Sequence, residues 1–168
     1  MTEQREGEIA LPFDPGTGSD AAIVFIGRVH SAWRERADCP KNMVAARESG
    51  QRASLKVDEA YRPGLIGLER ASHAIVLTWL DRSARNLIVQ KPRHAGAPSG
   101  VFALRSPVRP NPVGLHICRI LSVDHEQGVV ELEAIDVLDK TPLVDIKPYF
   151  ASTDSIPDAV RTDREATA

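Results

Sequence analysis

Between residues 22 and 150 this chain carries a succession of short apolar runs, with no full-length helical repeat to separate them. Parallel strands need a crossover of a dozen or more residues between them, usually a helix. Here the connections are loops rich in Pro, Gly and polar residues, which disfavours a doubly wound sheet and favours antiparallel pairing. Seven or eight such strands fit a mainly β fold. The architecture expected is a single-sheet antiparallel β-barrel with one or two short helices, because closure removes exposed edges.

The individual runs give the expected order. AIVFIGRVHS (22–31) and HAIVLTWLD (73–81) read as buried strands, and QRASLKVDEAY (51–61) as a strand in part. ARNLIVQKPR (84–93) is a further candidate, stopped by Pro92, and GVFALRS (100–106) a short one. GLHICRILSVD (114–124) and GVVELEAIDVL (128–138) pair as a hairpin across HEQG, the second alternating as a half-buried strand does. PLVDIKPYF (142–150) is the last strand. WRERADCPKNMVAARESG (33–50) reads as a loop with a helical turn, and RPGLIGLERAS (62–72) as a short helix. Residues 1–20 read as a flexible N-terminal arm, 21–158 as the barrel domain and 159–168 as a polar tail.

Charge is distributed unevenly although the net value is only −2. Arg82 to Arg119 holds seven Lys or Arg and no acid, whereas Ile120 to the end holds eleven acids and four basic residues. A basic middle of this kind forms either a phosphate-facing surface or the solvated edge of a sheet. No apolar run reaches membrane-spanning length, and the N-terminus lacks the layout of a secretion signal, so a cytoplasmic protein with no membrane partner is expected. Cys39 and Cys118, far apart and in no CxxC, read as free thiols. No GxGxxG follows a strand, and no phosphate-loop or HExxH motif occurs. The five histidines lack metal-ligand spacing, so each reads as structural and no metal is expected.

Three loops stand out. In RSPVRPNPVGL (105–115), Pro107, Pro110 and Pro112 fix the backbone, and Asn111 projects from a rigid frame. Gly114 allows either close backbone approach to a ligand or a turn into the next strand. In LDKTP (138–142), Asp139 and Thr141 can bond nearby amides and Pro142 starts a strand. DCPKN (38–42) is a polar loop with one proline.

RSPVRPNPVGL followed by DVLDKTPLVDIKPY resembles the TrmO-like family of S-adenosylmethionine-dependent tRNA methyltransferases. ERASHAIVLTWLD, WRERADCPKN and DSIPDA (154–159) resemble further segments of that family in the same order, over about residues 22–158. The resemblance implies a β-barrel methyltransferase that is a homodimer, with S-adenosyl-L-methionine near the subunit interface. It implies methylation of N6 of a threonylcarbamoyl-adenosine beside the tRNA anticodon. Carried over by position, donor binding falls to Pro40, Lys41, Asn42, Asp81, Arg82, Arg105, Leu115 and the run Asp139, Lys140, Thr141, Pro142. Two positions depart from the family pattern: Lys140 stands where glycine is usual, and Asp81-Arg82 where His-Gln occurs in many members.

The chemistry such a reaction needs narrows the roles. An exocyclic amine is a weak nucleophile and gains from an acceptor for its proton. Asp139 is the first candidate and Asp81 the second, with turn capping as the alternative for Asp139. Arginine stays protonated, so Arg105 is assigned to the donor and Arg109 to holding the loop or to RNA phosphate. Lys91, Arg93 and Arg119 are candidates for phosphate contacts. The competing readings are a barrel of this fold methylating a small molecule or another RNA, and a non-catalytic barrel that binds donor or RNA.

Overall fold

A computed structural model of the protein describes residues 5–18, 20–91 and 97–160. Its centre is a closed barrel of six antiparallel strands. In chain order these are β2 (Gly27–His30), β3 (Ala53–Val57), β4 (His73–Trp79), β7 (Val113–Asp124), β8 (Val129–Leu132) and β9 (Pro142–Pro148). Around the barrel the order is β2-β3-β8-β7-β4-β9, and β9 pairs back onto β2 through Gly27↔Leu143 and Arg28↔Pro142. The mainly β, antiparallel barrel expected from the strand count is therefore the fold present. A second sheet flanks it, with order β1-β5-β6, built from β1 (Ile9–Ala10), β5 (Leu87–Gln90) and β6 (Ser99–Gly100). The helices are short: α1 (Met43–Glu48) and α2 (Ala151–Asp154).

Period-two patterning builds the interior. β3 and β4 alternate buried and half-buried residues along their whole length, so Ala53, Leu55 and Val57 point inward beside Ala74, Val76 and Thr78. Val29, Val130, Leu132, Ile135 and Leu143 complete a core that is essentially inaccessible to solvent. Each such side chain contributes about 1.5–3 kcal/mol relative to exposure. Closing so small a sheet requires local bends. Register shifts at Leu77/Thr78, between β4 and β9, and at Ile120/Ser122, between β7 and β8, supply them. At the β2–β3 seam the backbones approach so closely that a Cβ on Gly27 would collide with the Lys56 carbonyl.

Several expected boundaries differ, each for a physical reason. The run 22–31 is a strand only from Gly27, and Ile23 and Val24 are exposed, because the pairing with β3 and β9 begins at Gly27. GVFALRS forms no barrel strand. After the two-residue β6 it becomes a turn over Val101–Ala103. The Arg109 guanidinium gathers the carbonyls of Val101 (2.9 Å), Leu104 (2.5 Å) and Ser106 (3.0 Å), which curls the segment. β8 ends at Leu132, earlier than expected, and the chain beyond is irregular. There the Ile135 carbonyl accepts from Trp33 Nε1 (2.9 Å) and the Val137 carbonyl from Ser31 Oγ (2.8 Å), side chains standing in for a neighbouring strand. The expected helix at 62–72 is instead two 3-10 turns, Glu59–Leu65 and Leu68–Arg70, broken at Gly67. The hairpin of β7 and β8 and the helical turn near residue 43 are present as expected.

Candidate active-site cleft

At one end of the barrel the loops open into a cleft of ≈ 1160 Å³. Its walls come from the loop leading into α1, the end of β4, the proline loop, the start of β7 and the segment between β8 and β9. The segments are fixed by hydrogen bonds that side chains make to backbone. Asn42 caps α1, its Oδ1 accepting from Ala45 N at 3.0 Å, which orients Pro40 and Lys41 on the rim. Arg85 stacks over Trp79 (5.4 Å) while its Nε donates to the Pro110 carbonyl (2.6 Å), tying the proline loop to β4. Prolines cannot donate to a sheet, so a stiff loop anchored by Arg85 and Arg109 through its carbonyls is what this composition permits.

The residues expected at a methyl donor divide in two. Pro40, Lys41, Asn42, Asp81, Arg82, Arg105, Leu115 and Thr141 line the cleft. Arg105 ties the proline loop to the start of β7, donating from Nη2 to the Leu115 carbonyl at 3.1 Å, and Arg82 Nη2 reaches the Asp139 carbonyl at 3.3 Å. Asp139, Lys140 and Pro142 are not among the residues that line it. The Asp139 carboxylate is buried, pairs with Arg34 and accepts from Ser31 N at 3.2 Å, with His30 Nδ1 at 3.9 Å. Its contacts therefore hold the Arg34 loop. Asp81, by contrast, is exposed on the rim.

Lys140 occupies the left-handed backbone region, with φ of 67°, and is the one non-glycine residue among those described to do so. Its N–H donates to the Val29 carbonyl (2.8 Å) and Arg28 Nη1 donates to its carbonyl (3.2 Å), so the turn is pinned to β2. The glycine that the resemblance leads one to expect at this position would adopt that geometry without strain.

The candidates for RNA phosphate lie apart. Arg109 lines the cleft, but its Nε and Nη2 are committed to the three carbonyls of its own loop. Lys91 follows β5 of the flanking sheet directly, and its N–H donates to Glu8 Oε1 at 3.0 Å. Arg119 is exposed opposite His73, roughly 17 Å along β7 from Gly114 at strand spacing, away from the cleft. Arg93 lies outside the described residues. Cations nonetheless dominate the rim, where Arg34, Arg36, Lys41, Arg82 and Arg105 face the acids Glu35, Asp81 and Asp136.

The sequence reading missed a buried group. On β7, Gly114 and His116 face inward together. His116 Nδ1 is 2.6 Å from Asp136 Oδ1, and its Nε2 is 3.1 Å from Thr78 Oγ1. His116 lay in an apolar strand pattern 20 residues from Asp136, without a local signal to join them. Both line the cleft, and the Asp136 side chain retains 16% exposure. Burial first, and the Asp136 carboxylate second, push the Cys39 thiol on the same wall up to about 11 and the Cys118 thiol up to about 12. Both cysteines are free, and both thiols stay protonated near neutral pH.

Fold and site together define a small antiparallel barrel with a cationic, loop-built cleft at one end. The chain belongs to the family described as the tRNA-methyltransferase O N-terminal domain, whose model matches residues 28–155. The probable S-adenosyl-L-methionine-binding protein VirR of Rhizobium radiobacter is 37% identical over 147 residues, covering 88% of this chain and 80% of the relative. The tRNA (adenine(37)-N6)-methyltransferase of Rattus norvegicus is 36% identical over 137 residues, covering 77% of this chain and 31% of that protein. The crystal structure of TrmO from Pseudomonas aeruginosa superposes with a TM-score of 0.68 at 28% identity, over 88% of this chain and 64% of that one. Another TrmO crystal structure gives 0.70 at 29% identity, covering 86% and 64%. The chain thus spans somewhat less than two thirds of the solved TrmO chains.

Proposed function

We propose that the protein is an S-adenosyl-L-methionine-dependent tRNA methyltransferase that modifies N6 of threonylcarbamoyl-adenosine beside the anticodon. The observation that carries this reading is convergence. Eight of the eleven positions that the family resemblance assigns to the donor, far apart in sequence, gather in one cleft. The cleft also exceeds the ~300–1,000 Å³ typical of a single small-ligand site, leaving room for an acceptor base beside the donor. Its chemistry fits the donor. Arg82, Arg105 and Lys41 offer charge to a carboxylate, Leu115 and Leu138 offer apolar area to an adenine, and Asp81 favours a sulfonium.

A donor bound there would supply an electrophilic methyl group, with a neutral thioether as its leaving group. The protein's part is mainly to hold two partners in line, worth on the order of 7 kcal/mol or more in well-oriented cases. The rigid proline loop and the Asn42-capped rim serve that purpose. Exposed rim cations Arg34, Arg36 and Lys41 suit the tRNA backbone, with Lys91 and Arg119 as more distant phosphate contacts that position without reading sequence, and Arg93, outside the described residues, as a further candidate from its charge alone. Val44, Val113 and Leu115 leave apolar area exposed at the mouth, which a second copy in a homodimer would cover.

Calorimetry with S-adenosyl-L-methionine, followed by labelled-methyl transfer to total tRNA and mass spectrometry of the digested nucleosides, tests the reading. Arg105→Ala is expected to weaken donor binding about 10- to 100-fold, the loss of one charge-assisted contact. Unchanged affinity in a folded Arg105→Ala protein removes the donor role of Arg105. Donor binding with no transfer to tRNA points instead to another acceptor or to a donor-sensing barrel.

A further inference from the structure

We infer that Asp136 is the proton acceptor of the cleft, held for that task by His116 and Thr78. The inference rests on the methyltransferase reading and assigns a step within it. An ionised carboxylate can only accept, so the 2.6 Å contact places the proton on His116 Nδ1, donating to Asp136 Oδ1. With the imidazole neutral, His116 Nε2 accepts and the Thr78 hydroxyl donates to it at 3.1 Å. Thr78 is fully buried and His116 nearly so, so the chain Thr78–His116–Asp136 runs from the barrel interior outward. Asp136 is its outermost member. Oδ1 takes the imidazole proton, and no donor among the described residues reaches Oδ2.

The other acids do not combine these properties. Asp81 and Glu35 line the cleft but are exposed, and the Asp139 carboxylate, which does not line it, is engaged with Arg34 and Ser31. Methyl transfer forms one N–C bond, breaks one S–C bond and frees one proton from the acceptor nitrogen. Asp136 Oδ2 receives that proton, and the carboxylic acid so formed keeps its hydrogen bond from His116. His116 and Thr78 do not touch the reacting atoms. They are positioning residues that fix the carboxylate rotamer and direct Oδ2 into the cleft.

The test uses the full chain. Asp136→Asn is expected to lower single-turnover transfer to tRNA about 10²-fold or more at saturating donor, with donor affinity within threefold of wild type. Asp136→Ala is expected to regain transfer when formate is added, which a purely structural carboxylate would not permit. His116→Gln should lower kcat by less and leave KM for tRNA unchanged. Transfer by Asp136→Asn at wild-type rate, or the absence of formate rescue in a folded Asp136→Ala protein, overturns the assignment. A readout without turnover separates this from the tRNA reading. With S-adenosylhomocysteine and threonylcarbamoyl-adenosine bound, the Asp136 carboxyl ¹³C resonance should move and that of Asp139 should not; the reverse overturns the assignment. Wild type that binds the donor and leaves tRNA unmethylated refutes the substrate instead. Adenosine then serves as the NMR probe, and a shift at Asp136 upholds its role while a shift at Asp139 alone defeats it.

Discussion

Gly114→Ala offers a sharp test of how the cleft is built. Gly114 does not adopt the left-handed backbone region, so alanine is conformationally acceptable there. The obstacle is space. A Cβ at this position would lie well inside contact distance of Thr78 Oγ1 and 2.6 Å from His116 Nε2. Neither neighbour can give way cheaply, because Thr78 is fully buried and the imidazole is held at its other end by Asp136. Overpacking of a tight site costs about 1–3 kcal/mol, and losing the Thr78–His116 hydrogen bond about 1 more. The expected destabilisation is therefore about 2–4 kcal/mol, a melting temperature lower by roughly 5–15 °C for a chain of this size. Urea unfolding followed by tryptophan fluorescence reads it, since Trp79 adjoins Thr78 on β4. Combining Gly114→Ala with Thr78→Ala vacates the contested volume, so the two changes should be non-additive by about 1 kcal/mol or more in the favourable direction. A Gly114→Ala protein within about 0.5 kcal/mol of wild type, or strict additivity of the pair, would refute the argument.

Two further outcomes are expected. Cys39, its thiol held up to about 11, should alkylate with iodoacetamide at pH 8 on the order of 10²-fold more slowly than an ordinary thiol near 8.5, and Asp136→Asn should speed it by removing the second cause of that shift; a rate like that of free cysteine would contradict the burial and charge described. Lys140→Gly should raise stability by about 0.5–1 kcal/mol, because relief of left-handed strain of about 1–2 outweighs the entropy glycine costs; denaturant midpoints check this, and a loss above about 1 kcal/mol would show that the Lys140 Nζ contact with His30 at 3.1 Å dominates.

The sequence by itself determined the strand chemistry and the class of fold. The strand character of ASLKV and HAIVLTW, and the hairpin between β7 and β8 with its alternating second arm, follow from local patterning that acts over a few residues. The stiffness of RPNP was equally legible, because proline constrains its own backbone wherever it stands. Tertiary structure decided which of these segments meet. An apolar run such as AIVF does not reveal whether it has a partner, and only the β2–β9 register leaves Ile23 and Val24 outside the barrel. GVFALRS has strand composition, yet Arg109 curls it by collecting its carbonyls. Asp139 and Asp136 stand three residues apart in one motif. The turn sends the first toward Arg34 and Ser31 and the second to His116 in the cleft, a difference set by backbone direction, which no residue type records. Gly114 shows the same division: its identity left open close approach to a ligand or a turn into the strand, and the fold sets Thr78 and His116 where its side chain would have stood.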